Sequence, residues 1–233
     1  MQGGLDAALQ GLLALERTER LAEDVGGTSR ACRALLECCF AAGKWDLLME
    51  HILLLSKRRA QLRGAIQDFV RQAMRYVDQA PDQATQVKLI ETLLGVTMGK
   101  IFVEIERARL TKRLAGIRES QGDVAGAADL LQEVAVETFG AMHKLEKISY
   151  ILEQVRLCLD RGDNVRAQIL AKKISPGAFK KSTGPEQAFG CVTRSTLPFS
   201  PARRRLATVS ASRDCASLLA TLMRPGLRRV LQD

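Results

Sequence analysis

The chain has 233 residues, 46% of them hydrophobic, 26% charged and only 4% aromatic, with a formal net charge of +9. The apolar share is enough for a continuous core and excludes a wholly disordered chain, while no run of about 18 apolar residues offers a membrane-spanning helix. Leu, Ala and Arg are the commonest letters and Glu and Gln are frequent, residues that lose little rotamer freedom in a helix, so the expected fold class is all-α.

The opening MQGGLDAALQ has no basic patch followed by an apolar core, so no secretory leader is expected and the protein is read as intracellular. Cys32, Cys38 and Cys39 come next. Neighbours on a helix point about 100° apart, which suits packing better than metal ligation. With Cys158, Cys191 and Cys215 they form no C-x-x-C pair, and all six are expected to be reduced structural thiols.

Gly43 then punctuates AAGKWDLL, and Leu48, Ile52 and Leu55 mark the apolar stripe of the following helix. Lys57, Arg58 and Arg59 form the densest basic cluster of the body. They are expected at a helix end, where cations complement the dipole, or at a subunit interface. Asp82 opens a helix striped by Val87, Ile90 and Leu94.

In GKIFVEIERARLTKRLAGI, Glu104 stands three residues before Arg107 and Glu106 three before Arg109. Acid-first pairs at this spacing support an exposed helix face, which serves as a solvated surface or a partner-binding ridge. Val103, Leu110, Leu114 and Ile117 supply its buried side. Gly122 precedes a helix with Val124, Ala127, Leu131 and Val134 on one face, and Leu145, Ile148, Leu152, Val155 and Leu159 stripe its expected antiparallel partner.

Gly43, Asp82, Gly122 and Gly162 are 39, 40 and 40 residues apart. Each ends one helix and starts another, and a two-helix unit repeating at about 40 residues is the pattern of an α-solenoid, TPR- or HEAT-like, whose antiparallel pairs stack to bury their apolar faces.

From Lys180 to Asp233 the composition changes. Ten Lys or Arg face three acids there, a net of +7, leaving the first 179 residues at +2, and four of the six prolines lie in this stretch. The expected organisation is a helical-repeat body over 1–177 and a disordered, basic, Ser/Pro/Arg-rich tail over 178–233. Arg203 to Arg205 could contact phosphate, and Thr208 behind them suits a basophilic kinase, so a basic-tailed adaptor binding nucleic acid is the alternative of another class. Nucleic acid is not favoured, since the body is near neutral.

His51 and His143 are the two histidines, and no H-E-x-x-H, G-x-S-x-G or phosphate-loop pattern occurs. No catalytic residue, metal ligand, cofactor or small-molecule substrate is expected. The candidate partner-contact residues are Lys57, Arg58, Arg59, Glu104, Glu106, Arg107 and Arg109.

The strings GKWDLLMEHILLLSKRRAQL, GKIFVEIERARLTKRLAGI, ETFGAM, YILEQVRLCLDRGD and AQILAKKI closely resemble the proteasome regulatory subunit 12 family of lid proteins. The resemblance runs from about residue 5 to 177, and the paralogous signalosome subunit is a weaker match. It implies an N-terminal α-solenoid followed by a PCI module. It also implies a non-catalytic scaffold in ubiquitin-dependent degradation, placed in cytoplasm and nucleus, with other lid and base subunits as partners and no membrane. After about Phe179 the resemblance stops, the PCI residues are missing and the start is shorter than usual. The tail then reads as an alternative exon, a read-through or a gene-prediction error, and a non-assembling fragment is a further alternative. Ile169, Leu170 and Ile174 would close the solenoid with an apolar face uncovered, and marginal solubility is expected.

Overall fold

The computed structural model describes residues 2–174. The expected disordered tail over 178–233, with Cys191, Arg203 to Arg205, Thr208 and Cys215, lies outside the described residues. Among the described residues every regular element is helical, and the fold is an all-α array of stacked helix pairs in the α-solenoid class. The helices are α1 (Gln2–Leu21), α2 (Val25–Ala41), α3 (Trp45–Lys57), α4 (Arg63–Tyr76), α5 (Gln83–Thr97), α6 (Glu104–Ser120), α7 (Val124–Gln132), α8 (Lys144–Arg161) and α9 (Asn164–Lys172). They fall into two compact units, Met1–Leu114 and the part from Ala115 on.

In the first unit α2 lies between α1 and α4, and α3 packs on α5. Arg71 of α4 reaches Glu106 of α6, the Gln67 amide reaches the Phe102 carbonyl, and Arg113 reaches both the Met74 carbonyl and Asp78. These bonds join residues 35, 35, 39 and 35 apart in sequence. A separation that stays nearly constant along two helices means that α4 and α6 run parallel, one repeat apart, with α5 returning between them. The second unit repeats the arrangement: Glu119 with Arg156, Gln132 with Arg166 and Glu137 with Lys173 are 37, 34 and 36 apart. The polar bonds between repeats thus join residues 34–39 apart, close to but mostly shorter than the 39–40-residue spacing of the punctuation.

The four punctuation sites all sit in helix-to-helix turns. Asp82 caps α5 by accepting from the Thr85 N–H at 2.9 Å. Gly162 ends α8 in the left-handed region at φ 88°, and the next amide, Asp163, donates back to the Cys158 carbonyl at 2.8 Å. A Cβ at Gly162 would meet nothing within 4 Å, so Gly162→Ala isolates the backbone penalty. A loss of about 1–2 kcal/mol is expected, measured as a lower urea midpoint with an unchanged slope.

The stripes are only partly as the spacing implies. Leu48, Ile52 and Leu55 are fully buried. In α5, Val87 and Leu94 are half-buried, and Leu89, Ile90, Leu93 and Val96 form the core face instead. Val103, just before α6, and Leu110 and Leu114 within it are buried, and Ile117 is half-buried. In α8, Leu145 is 43% exposed at the first turn, while Ile148, Ile151, Val155 and Cys158 make one buried stripe and Tyr150, Gln154 and Leu157 a second beside it. A helix with neighbours on more than one side buries more than one stripe, and α8 packs on both α7 and α9. Near the turn between α2 and α3, Phe40 stacks on Tyr76 at 4.2 Å and meets Trp45 edge-on at 5.5 Å, tying that turn to the end of α4.

Candidate interaction surface

Lys57 is the last residue of α3 and Arg58 its cap, so the basic cluster does stand at a helix end. Its three side chains diverge. Lys57 and Arg59 are exposed. Arg58 turns inward, its Nε 3.8 Å from Glu16 Oε2. Glu16 of α1 is fully buried and accepts from Arg20 Nε at 3.0 Å and from Gln61 Nε2 at 3.3 Å. Arg20 in turn donates to the Arg59 carbonyl at 2.7 Å. One of the three side chains is therefore structural: the turn after α3 is fastened to α1 around a buried carboxylate, leaving the Lys57 ammonium and the Arg59 guanidinium outward.

The charges of α6 are also divided, and the expectation of one exposed acid-first face is corrected. Glu106 is 3% exposed and accepts from Arg71 Nε at 2.8 Å across the repeat. Arg107 is half-buried and donates to the Leu94 carbonyl at 3.3 Å. Glu104 is half-buried and Arg109 exposed. Charges spaced at i,i+3 read as mutual partners when only one helix is considered; here α4 and the end of α5 supply partners for Glu106 and Arg107. The outward chemistry of this face is basic, made of Arg109, Arg71 and Arg113, the last two with side chains 54% and 39% exposed.

Arg156 of α8 is 6% exposed, a burial that no local sequence feature announces. Its guanidinium meets Glu119 in a bidentate pair with both contacts at 2.7 Å, Asp160 at 2.9 Å, and also Glu153. Burial works against the charge, but the Glu119 and Glu153 carboxylates hold the guanidinium pKa above its ordinary value. Asp160 titrates above the usual carboxylate range, pushed up by burial and by Glu119 and Glu153 against the pull of Arg156. The one signal for such residues in the sequence is an acid and an arginine about one repeat apart, as with Glu119 and Arg156 or Arg71 and Glu106.

The histidines have structural places. His143 is the N-cap of α8, its Nδ1 accepting from the Leu145 N–H at 3.3 Å. His51 is 9% exposed in α3, and neither ring nitrogen has a hydrogen-bond partner. Burial lowers its pKa, with Glu50 pulling the other way. A pKa lowered in the folded state gives stability that is present above the unfolded value of about 6.5 and lost as pH falls towards the folded one. The first unit is therefore expected to weaken on acidification below neutrality, and His51→Leu to remove that component, as read from urea midpoints at pH 7.5 and 5.5.

Four cysteines are free among the described residues. Burial raises the pKa of Cys32 to about 12, with Glu16 adding to the shift, and that of Cys39 to about 11, so both stay thiols at neutral pH. Among the described residues no three His, Cys, Asp or Glu side chains gather as a metal site would need, and no helix is long and apolar enough to cross a membrane.

The family model described as PSMD12/CSN4, N-terminal, matches residues 7–187. The likeness thus continues ten residues past residue 177, where the quoted motifs stop. The 26S proteasome non-ATPase regulatory subunit 12 homolog A of Arabidopsis thaliana is 60% identical over 181 residues, covering 78% of this chain and 41% of that protein. The 26S proteasome non-ATPase regulatory subunit 12 of Dictyostelium discoideum is 46% identical over 173 residues, covering 74% and 39%. The 26S proteasome regulatory subunit RPN5 of Saccharomyces cerevisiae is 40% identical over 181 residues, covering 77% and 41%. The chain spans about two fifths of the length of the curated relatives it matches.

Proposed function

The chain belongs to the PSMD12/CSN4 N-terminal family, and from that premise we propose that it is a non-catalytic scaffold element of the 26S proteasome lid, acting in ubiquitin-dependent degradation in cytoplasm and nucleus. The observation that carries the reading is 60% identity over 181 residues to a protein named as a proteasome regulatory subunit, set on a fold whose buried charges join one repeat to the next. Charges committed to such joints make a rigid spacer, and a spacer serves by presenting its surface to other subunits.

The matched relatives are named for the proteasome, which favours the lid over the signalosome assembly. Lid and base subunits are the proposed partners. Lys57, Arg59 and Arg109 are the proposed contact residues, because their side chains reach solvent; Glu104 and Arg107 are half-buried on the same helix as Arg109, and Arg58 and Glu106 hold the turn and the repeat in place.

Affinity purification of the tagged chain from cells tests this. Neighbouring lid subunits should co-purify, and joint reversal of Lys57, Arg59 and Arg109 to Glu should reduce their recovery with no change in the helical circular dichroism of the chain. Recovery of chaperones without lid subunits would overturn the proposal.

A further inference from the structure

In the first unit, α2, α4 and α6 carry a charge pattern that α1, α3 and α5 lack. Up to Leu114 the first three helices hold nine Lys or Arg against four acids, a net of +5, whereas the other three hold four against six, a net of −2. Burial sharpens the contrast. Every exposed cation of α2, α4 and α6 is an arginine, and Glu37 is the one exposed acid of these three helices. A face kept for solvent intersperses both signs. Arginine without lysine is the composition of a surface that meets planar acceptors through the guanidinium fork.

The repeat puts these arginines in line. A Cβ at Gly64 would stand 2.7 Å from Val25 Cγ1, and Phe40 stacks on Tyr76, so α2 and α4 lie side by side with residues 39 and 36 apart in sequence next to one another. In α4 and α6 the neighbouring residues are 35 to 39 apart. Arg33, Arg71 and Arg109 are separated by 38 and 38 residues, and all three are exposed. They therefore occupy equivalent positions on three successive parallel helices. Arg75 and Arg113, also 38 apart, stand one turn further along α4 and α6. Arg71 is held by one edge only: its Nε donates to Glu106 at 2.8 Å while its side chain stays 54% exposed, which leaves the rest of the guanidinium to a second acceptor.

We propose that Arg33, Arg71 and Arg109 form a ladder that docks an extended acidic segment of a partner protein, laid across the helices with one carboxylate on each rung. Neighbouring helices pack about 8–10 Å apart and an extended chain advances about 3.3 Å per residue, so the segment carries an acid at every third position. Like charges in line repel one another, and carboxylates laid along them turn that repulsion into binding. The proposal rests on the scaffold reading and names the chemistry of one of its partner contacts.

The test measures binding of the full chain to a fluorescein-labelled peptide of Glu-Gly-Ser repeats, with a benzophenone amino acid at its centre. A second peptide has the same composition with its glutamates consecutive. At about 50 mM salt the spaced peptide should bind several-fold tighter than the clustered one. Arg33→Glu and Arg109→Glu should each weaken it about tenfold, whereas Arg17→Glu and Lys88→Glu, the same change on α1 and α5, should leave it unaltered. Should the reversals disturb folding, Arg33→Lys combined with Arg109→Lys keeps every charge and should still weaken binding several-fold, because lysine lacks the fork. Crosslinks should map to peptides of α2, α4 and α6. Equal binding of the clustered peptide, an equal loss in Arg17→Glu or crosslinks confined to residues after Lys180 would overturn the ladder. So would tighter binding of a single-stranded oligonucleotide of equal charge. Lid subunits that co-purify while the spaced peptide fails to bind would sink the ladder and spare the scaffold reading; the converse result would sink the scaffold reading and support the ladder.

Discussion

Arg156→Ala is expected to abolish cooperative folding of the second unit at neutral pH. The guanidinium is 6% exposed and faces Glu119, Glu153 and Asp160, whose side chains are 22%, 13% and 30% exposed. Removing it leaves three carboxylates turned towards one another with no cation between them. Breaking a buried pair from one side costs about 3–5 kcal/mol. Native stability is of the order of 0.05–0.15 kcal/mol per residue, so a unit this small has little left after such a loss. Urea denaturation followed by circular dichroism, with hydrogen exchange of the α8 amides, measures it.

The pH dependence of the variant distinguishes this charge mechanism from a simple packing defect. Without Arg156 to pull it down, burial and the charges of Glu119 and Glu153 raise Asp160 further above its unfolded value of about 3.9. Stability from a raised carboxylate is present below the unfolded pKa and lost as pH rises through the folded one, so Arg156→Ala should be more stable at pH 5 than at pH 7. Asp160, already raised by its surroundings, should respond alone: Arg156→Ala combined with Asp160→Asn should recover part of the loss at neutral pH. Equal destabilisation at both pH values would show that the hub acts by packing alone.

Phe69→Ala is expected to cost the first unit about 3–5 kcal/mol. Phe69 is among the largest fully buried side chains, in the middle of α4, with Ala65, Ile66, Val70 and Ala73 buried around it on the same helix. That helix packs on α2 and carries the bonds from Arg71 to Glu106 and from Gln67 to the Phe102 carbonyl. A cavity there loosens the seat of both joints. Phe69→Leu, which keeps most of the volume, should cost less than about 1.5 kcal/mol. The check is the urea midpoint of each variant, together with loss of the slowest-exchanging α2 and α4 amides in Phe69→Ala; equal midpoints for the Ala and Leu variants would contradict the cavity account.

Lys57 and Glu106 mark the limits of reading one helix at a time. The helix end at Lys57 is legible because clustered cations complement the dipole of a helix C-terminus, a local property. Glu106 looked like one half of an exposed pair with Arg109, since helical geometry alone makes residues three apart neighbours. It is buried because α4 lies over that face and brings Arg71 to it. Arg156 is inconspicuous for the same reason: in sequence it is one cation in YILEQVRLCLDRGD, and Glu119, the carboxylate it meets in a bidentate pair, lies 37 residues away.

The sequence by itself determined the helices, their turns and their period. Gly43, Asp82, Gly122 and Gly162 act through backbone conformation and capping, which involve a handful of adjacent residues, and their spacing sets which helix lies over which. Tertiary structure alone decided which charges are joints and which are surface. Burial of Glu16, Glu106 and Arg156 depends on helices one repeat away, and the desolvation that makes them structural arises only when those helices have packed.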